Sequence, residues 1–325
     1  MKIYGIGRAM VDYYMDSEPL GFNPGGSIHI DGITFDKLIS TSNKENLIKQ
    51  SGGSCCNTLK VLSHMGHSVV FSGTTGDSDI FGEADFFSEN LAASGITFLN
   101  HTEKGKTGRC FISKTNGKSS VIAASPETAS KITKVQIDMK ILSAADWCIA
   151  EGMELDNKDI WETLSEKIVQ SNISTVILCG TKFGAEKTAD FLCNLDSYPK
   201  LSKCIKLIFA NNIEASILKD KGIDFIEYSQ KEGFIFVITN EDKESSAFIN
   251  GKEIFEKAII SETDFCETTG AGDVFAGAFL SSFINSNGTD IKSCLKNGNK
   301  FASRILSVPL CNTKELFTSH NSTGN

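Results

Sequence analysis

The sequence predicts an α/β fold: a three-layer α/β/α core whose sheet is mostly parallel, plus a small β-sheet lid. Short apolar runs without alternation recur along the chain and end in Gly, Asn, Thr or a Glu-Gly pair. Longer stretches with helical spacing separate them, which is the pattern of parallel strands covered by helices on both faces. Two alternating segments, around Asp31-Gly32 and Asn116-Gly117, depart from this pattern and read as hairpins.

In chain order the apolar runs are residues 2–6 before Gly7 and 68–72 before Gly73, then 147–150 before Glu151-Gly152. They continue with 175–179 before Gly180, 206–210 before Asn211 and 234–238 before Thr239. Helical spacing occupies 57–64, 84–93 and 159–169 between them. Sheets of this kind bind ligands at the carboxyl ends of their strands, where the glycine and polar residues fall here. The hairpin segments 27–35 and 110–122 are far apart but can join into one small sheet, as a lid or as two edge hairpins of the main sheet. Residues 41–50 are polar and read as a linker or short helix. The residues after Phe317 read as an unstructured tail.

A chain of 325 residues exceeds the ~250–300 that one core usually reaches, so a large unit with a smaller one is expected. Hydrophobic residues make up 40% and charged residues 22%, ordinary values for a soluble globular protein. The net charge is −8 and no basic stripe stands out, which argues against nucleic acid or an anionic membrane as partner. The ten cysteines include no Cys-x-x-Cys pair and mostly sit among apolar neighbours, so they read as reduced core residues of a cytoplasmic protein. Neither a signal peptide nor a membrane span is read from the sequence. His64 and His67 share a helix face, but Gly66 intervenes and no third ligand lies near, which argues against a metal there.

The chemistry is placed at Glu267-Thr268-Thr269-Gly270-Ala271-Gly272-Asp273, ahead of the apolar or small run 274–284. As a helix that run is buried all round. Gly270 and Gly272 permit a tight turn and a close ligand, and the free N–H groups of Ala271, Gly272 and Asp273 form an anion site. Asp273 is the only charged residue between Thr268 and Thr289. A lone carboxylate there serves either chemistry or its own helix N-terminus. Two familiar phosphate loops are absent. Gly105-Lys106-Thr107 lacks the glycine required at position 100, and Gly5-Ile6-Gly7 lacks the one at position 10. At Gly52-Gly53 the backbone can approach a sugar. Asn57 can donate to and accept from hydroxyls, or serve as a cap.

Thr-Thr-Gly-Ala-Gly-Asp before a small-residue helix resembles the C-terminal motif of the ribokinase-like, PfkB-type carbohydrate and nucleoside kinases. Ser51-Gly52-Gly53-Ser54-Cys55-Cys56-Asn57 resembles their N-terminal motif, and Gly73–Gly82 a structural turn that they share. Residues 53–66, Thr107-Gly108 and Glu151-Gly152 look closest to the adenosine kinase-like branch. The resemblance implies a core of residues 1–12, 51–104 and 125–325 and a lid of 13–50 and 105–124. It implies transfer of the γ-phosphoryl group of ATP to a hydroxyl of a sugar or nucleoside, with Asp273 as general base and Gly270, Ala271 and Gly272 as the anion site. Asp12, Gly52, Gly53, Asn57 and Glu151 then bind the acceptor. Arg109 and Lys118 either reach the substrate from the lid or solvate its edge. Asn211, Thr239, Thr269 and Asn299 face the nucleotide, with Asn299 near adenine, and Glu214 holds Mg2+ through water. A capped helix start is the plainer account of Asn211-Asn212-Ile213-Glu214. Glu241 and Glu244 replace expected glycines, Val274 replaces Ser or Thr, and Glu267 replaces Asp, which leaves K+ activation open. A monomer or a homodimer through the lid fits equally. Two rivals are a sugar or nucleoside sensor that no longer uses ATP and a dinucleotide-dependent oxidoreductase; the incomplete glycine fingerprint weakens the second.

Overall fold

A computed structural model describes residues 1–16, 26–42, 47–115, 118–260, 269–308 and 312–318. In chain order the first half has β1 (Lys2–Ile6), β2 (Met10–Asp16), β3 (Gly26–His29), α1 (Gly32–Thr41), β4 (Leu47–Gly52), α2 (Ser54–His64), β5 (Ser68–Gly76), α3 (Glu83–Ala93), β6 (Ile96–Glu103), β7 (Gly108–Thr115) and β8 (Lys118–Ser125). Then come α4 (Met139–Ser143), β9 (Trp147–Glu151), α5 (Lys158–Ser171), β10 (Ser174–Leu178), α6 (Lys182–Cys193), α7 (Pro199–Ser202), β11 (Ile205–Asn211), α8 (Asn212–Asp220) and α9 (Phe225–Lys231). The chain closes with β12 (Ile235–Asn240), β13 (Glu244–Ile249), β14 (Lys252–Lys257), α10 (Ala271–Asn285), α11 (Ile291–Ile305) and α12 (Thr313–Thr318).

Nine strands form one sheet in the order β14-β13-β12-β11-β10-β9-β1-β5-β6. The seven from β12 to β6 run parallel, and β13 and β14 add an antiparallel edge. Alternate residues of each central strand enter different cores, because successive side chains in a strand face opposite ways. Ile3, Ile149, Val176 and Leu207 pack with Leu59, Phe275, Phe279 and Leu295, from α2, α10 and α11. Tyr4, Cys148, Ile177 and Ile208 pack instead with Trp161, Leu164, Ala189 and Leu218, from α5, α6 and α8. All six expected parallel strands are present, each within two residues of its expected bounds except that β5 runs on to Gly76.

A second sheet of five strands, in the order β3-β8-β7-β2-β4, hangs from the carboxyl ends of β1 and β6 and leads into α2. The Asn-Gly segment is a hairpin as expected, since β7 and β8 pair antiparallel. Its two turn residues lie outside the described residues. The Asp-Gly segment is not a hairpin. β3 pairs with β8, and Asp31 caps α1 by accepting from the Thr34 amide. Phe35, Leu38 and Ile39 are the buried face of α1, and that i, i+3, i+4 spacing outweighs the turn signal. Of residues 41–50, read as linker or short helix, 47–50 form β4 against β2, together with Ser51 and Gly52. The expected divisions at 12/13 and 50/51 therefore fall inside strands.

Helix α10 is buried along most of its length, as expected of a run without a polar face. It lies close enough to α2 that a Cβ on Gly277 would sit 2.7 Å from Val61 Cβ and 2.9 Å from the Thr58 carbonyl oxygen. Gly277→Val is expected to prise the two helices apart and cost about 1–3 kcal/mol, the usual range for overpacking. A denaturant midpoint equal to wild type would contradict this contact. Among the described residues no helix is long and apolar enough to cross a membrane. Of the eight described cysteines seven are buried and none is bridged.

Candidate active site

Helices α6 and α8 begin where the parallel strands β10 and β11 end. The start of α2 lies beside them, with Ser54 against Gly180 at the end of β10, and α10 meets α2 through Asn57 and Asp273. Gly53 precedes α2 with φ 101°, and a Cβ there would lie 2.5 Å from the Arg8 carbonyl oxygen. Thr181 caps α6 by accepting from the Gly184 amide, and Asn211 caps α8. Gly270 precedes α10 at φ 84°, a left-handed turn without a side-chain cap. Among the described residues no side chain caps the first amides of α10. Thr269 and Gly270 are half-buried and Gly272 is exposed. Glu267 and Thr268 lie outside the described residues.

Asp273 stands in the first turn of α10 and is half-buried. Its Oδ2 accepts from Asn57 Nδ2 at 3.0 Å, and its carbonyl oxygen accepts from Thr58 Oγ1 at 3.3 Å. The two glycine motifs, 216 residues apart in the chain, thus meet through one hydrogen bond. Burial pushes the Asp273 carboxyl up to about 7, opposed first by the Asn57 bond and assisted by the charge of Glu151. Loss of solvent around the carboxylate thus outweighs the donors that favour its charged form.

Asp12 lies on β2, buried, with its carboxylate against the Cα of Gly52; a side chain at position 52 would displace it. Burial raises its carboxyl to about 7, and the charge of Lys60 pulls the other way. Glu151 ends β9 and is fully buried. Its carboxylate accepts from the amides of Cys55 at 2.9 Å and Arg8 at 3.4 Å, and so supplies the cap that α2 lacks. Its observed partners are thus the backbone amides at the start of α2 and after β1. Glu154 lies nearby, 3.9 Å from Arg8 Nε, and burial raises it to about 8.

Arg109 is corrected on both of its readings. It neither solvates the lid edge nor opens toward a substrate, because it is fully buried. Its guanidinium pairs with Asp36 of α1 at 2.6 Å, Glu83 of α3 at 3.6 Å and Glu127 at 3.5 Å, and stacks over Phe35. Lys118 lies in β8, and its side chain is outside the described residues.

Of the residues expected to face a nucleotide, Asn211 and Thr239 are register neighbours on β11 and β12. The plainer account of Asn211 and Glu214 is realised as a capping box. Asn211 Oδ1 accepts from the Glu214 amide at 2.9 Å, and Glu214 Oε2 accepts from the Asn211 amide at 3.0 Å. Burial raises Glu214 to about 7. Glu241 sits at φ 49°, a backbone that suits glycine, and both Glu241 and Glu244 are exposed. Asn299 is buried, and its Nδ2 donates to the carbonyl oxygens of Glu256 and Lys257, so its amide ties α11 to β14. Among the described residues no three His, Cys, Asp or Glu side chains cluster as a metal site. His67 instead pairs with Ser281, and His64 stacks on Phe317.

Lys60 and Thr58 were not singled out from the sequence. Lys60 Nζ donates to Asn57 Oδ1 at 3.3 Å and to the Ser51 carbonyl oxygen. The available signal was a single lysine three residues after Asn57 in an otherwise apolar stretch of helix.

A doubly covered parallel sheet, a second small sheet and a glycine turn with an acid at a helix start together define a phosphotransferase-type fold. The chain matches the pfkB family carbohydrate kinases over residues 26–316 and belongs to that family. Similar solved structures include the adenosine kinase of Sinorhizobium meliloti, with 20% identity over 94% of this chain and 93% of that one and a TM-score of 0.80. A probable sugar kinase of Rhizobium etli CFN 42 has 19% identity over 94% and 92%, with a TM-score of 0.80. Anopheles gambiae adenosine kinase, in complex with P1,P4-di(adenosine-5) tetraphosphate, has 18% identity over 97% of each chain and a TM-score of 0.76. At these identities the likeness is one of fold, a ribokinase-like core with its small sheet.

Proposed function

We propose that the protein transfers the γ-phosphoryl group of ATP to a hydroxyl of a nucleoside, with Asp273 as the general base. The observation that carries this reading is the Asn57–Asp273 hydrogen bond at the junction of two helix N-termini. It supports the reading because it joins the amide assigned to the acceptor to the carboxylate assigned as base. A nucleoside, rather than a free sugar, is supported by the adenosine kinases among the similar structures.

The acceptor lies between Asp12, which receives its hydroxyls, and the glycine pair before α2. Asp273 takes the proton of the attacking hydroxyl as the bond to phosphorus forms. A carboxyl near 7 is far better matched to this task at neutral pH than one near 4. The amides of Ala271, Gly272 and Asp273 take up charge on the moving phosphoryl group. Closure of the small sheet keeps water, a competing acceptor, from the reaction. Thr239 and Asn211 lie on the nucleotide side, and Glu241 and Glu244, being exposed, leave the phosphates room.

Mg2+ fits Glu214 in one way. Oε2 is committed to the helix cap, so a cation would be held through Oε1 and ordered water, and it would offset phosphate charge. Gln at this position keeps the capping box. Glu214→Gln is therefore expected to preserve stability while raising the Mg2+ needed for half-maximal turnover about 10-fold. An unchanged Mg2+ titration would remove Glu214 from the metal's environment.

The test of the function is an ADP-release screen with Mg-ATP over adenosine, inosine, cytidine, D-ribose and D-fructose, with Asp273→Asn as blank. Turnover of a nucleoside above the blank is expected. Turnover of free sugars alone would reverse the choice of acceptor. No turnover, and no ATP binding by calorimetry at millimolar nucleotide, would make the chain a sensor.

A further inference from the structure

The Asn57 carboxamide has an acceptor oxygen on one side and a donor nitrogen on the other. Turned the wrong way, it would present Oδ1 to the Asp273 carboxylate and repel it. Lys60, one turn further along α2, decides the sense. An ammonium has donors only, so the oxygen of Asn57 must face Lys60 Nζ, at 3.3 Å. Nδ2 is then left for Asp273 Oδ2, at 3.0 Å.

Lys60 is only 5% exposed, a costly place for an ammonium. Among the described residues no carboxylate lies in ion-pair contact with it; its hydrogen bonds go to the Ser51 carbonyl of β4 and to Asn57. An apolar side chain of similar length would pack there without that cost, so packing alone does not account for the charge. Resting on the role given above to Asp273, we propose that Lys60 is a positioning residue for phosphoryl transfer. Its ammonium fixes the sense of the Asn57 amide, and the amide holds the Asp273 carboxylate toward the acceptor hydroxyl.

The surrounding charges agree with this arrangement. Asn57 and Ser54 of α2 lower the proton affinity of Asp273, whereas Glu151 of β9 and Glu214 of α8 raise it. Lys60 itself faces Asp12 of β2, His64 of its own helix and the Cys56 thiol, and Lys314 of α12 lines the same cavity. Lys60 thus offsets the charge of Asp12 directly and reaches Asp273 through the Asn57 amide.

The test is a 13C NMR titration of protein labelled at the aspartate carboxyl carbons, with the Asp273 signal assigned as the one missing in Asp273→Asn. Lys60→Met and Asn57→Ala are each expected to raise the Asp273 midpoint by at least about half a pH unit, because each removes the fixed donor. Coupling through one amide makes the double variant no higher than Asn57→Ala alone. Lys60→Arg keeps a donor-only group and is expected to stay near wild type. In turnover with Mg-ATP and adenosine, the acid limb of kcat is expected to move with the NMR midpoint, and kcat of Lys60→Met to fall about 10-fold. Should Lys60→Met not fold, Lys60→Met/Asp12→Asn removes both buried charges, and its Asp273 midpoint is read against Asp12→Asn alone. Equal Asp273 midpoints in wild type and Lys60→Met, or fully additive shifts, would overturn the proposal. The titration needs no turnover, so a wild type that phosphorylates nothing would count against the kinase reading and leave Lys60 to be judged by the midpoint.

Discussion

Asp273→Asn is expected to lower kcat by ~10²–10⁴ while leaving ATP affinity within a few-fold of wild type. The amide keeps the size of the carboxylate and, with its oxygen toward Asn57 Nδ2, can still accept that bond, but it cannot take a proton from the acceptor. Nucleotide binding survives because the amides before and within the first turn of α10 belong to the backbone. The same variant is expected to be more stable above pH 7. A carboxyl raised to about 7 in the folded state binds more protons there than in the unfolded chain, so its contribution to stability falls as pH rises from about 4 to 7. Removing the charge returns that loss, about 1–2 kcal/mol once its partial solvent exposure is allowed for. A denaturant midpoint at pH 8 measures it. A variant as inactive as expected but less stable at pH 8 would mean that the donors around the carboxylate more than offset its loss of solvent.

The second large effect concerns the junction of lid and core. Arg109→Met is expected to destabilise the protein by about 3–5 kcal/mol, the range for breaking a buried ion pair from one side. Asp36, Glu83 and Glu127 would face one another without the guanidinium, and Glu83 is as fully buried as Arg109. Glu83 would keep Tyr13 and the Phe81 amide as donors at 2.9 and 3.1 Å, which offset only part of the loss. Lys106, paired with Asp36, remains as a second cation. Arg109→Met/Glu83→Gln should recover part of the stability, because it removes an uncompensated charge. Loss of less than about 1 kcal/mol in the single variant would show that the three carboxylates are solvated or protonated at little cost.

Much of the core could be read in advance because its strands are buried on both faces, so their apolar runs do not depend on distant partners. The same holds for α10, whose lack of any polar face admits one placement. The lid was harder. Asp31-Gly32 carries both a turn signal and a helix start, and the buried Phe35, Leu38 and Ile39 decide between them only once a partner surface exists. Leu-Ile-Lys-Gln-Ser-Gly of β4 has little strand character, and its pairing with β2 supplies what its composition lacks. At the site, glycines and acids could be found because their spacing is local. Arg109, Glu151 and Lys60 could not be assigned, since the side chains that compensate a buried charge come from elsewhere in the chain. Asn211 and Glu214 made the opposite point: their spacing of three is a helix cap first.

The central claim is that a half-buried carboxylate, raised by its surroundings, accepts the acceptor's proton. Its most direct test is the pH dependence of kcat for wild type and Asp273→Asn with Mg-ATP and the acceptor found by screening. The account predicts that wild-type turnover falls below a midpoint near 7, and that Asp273→Asn has residual turnover with no such limb. A variant that keeps the limb, or turns over near the wild-type rate, would contradict it.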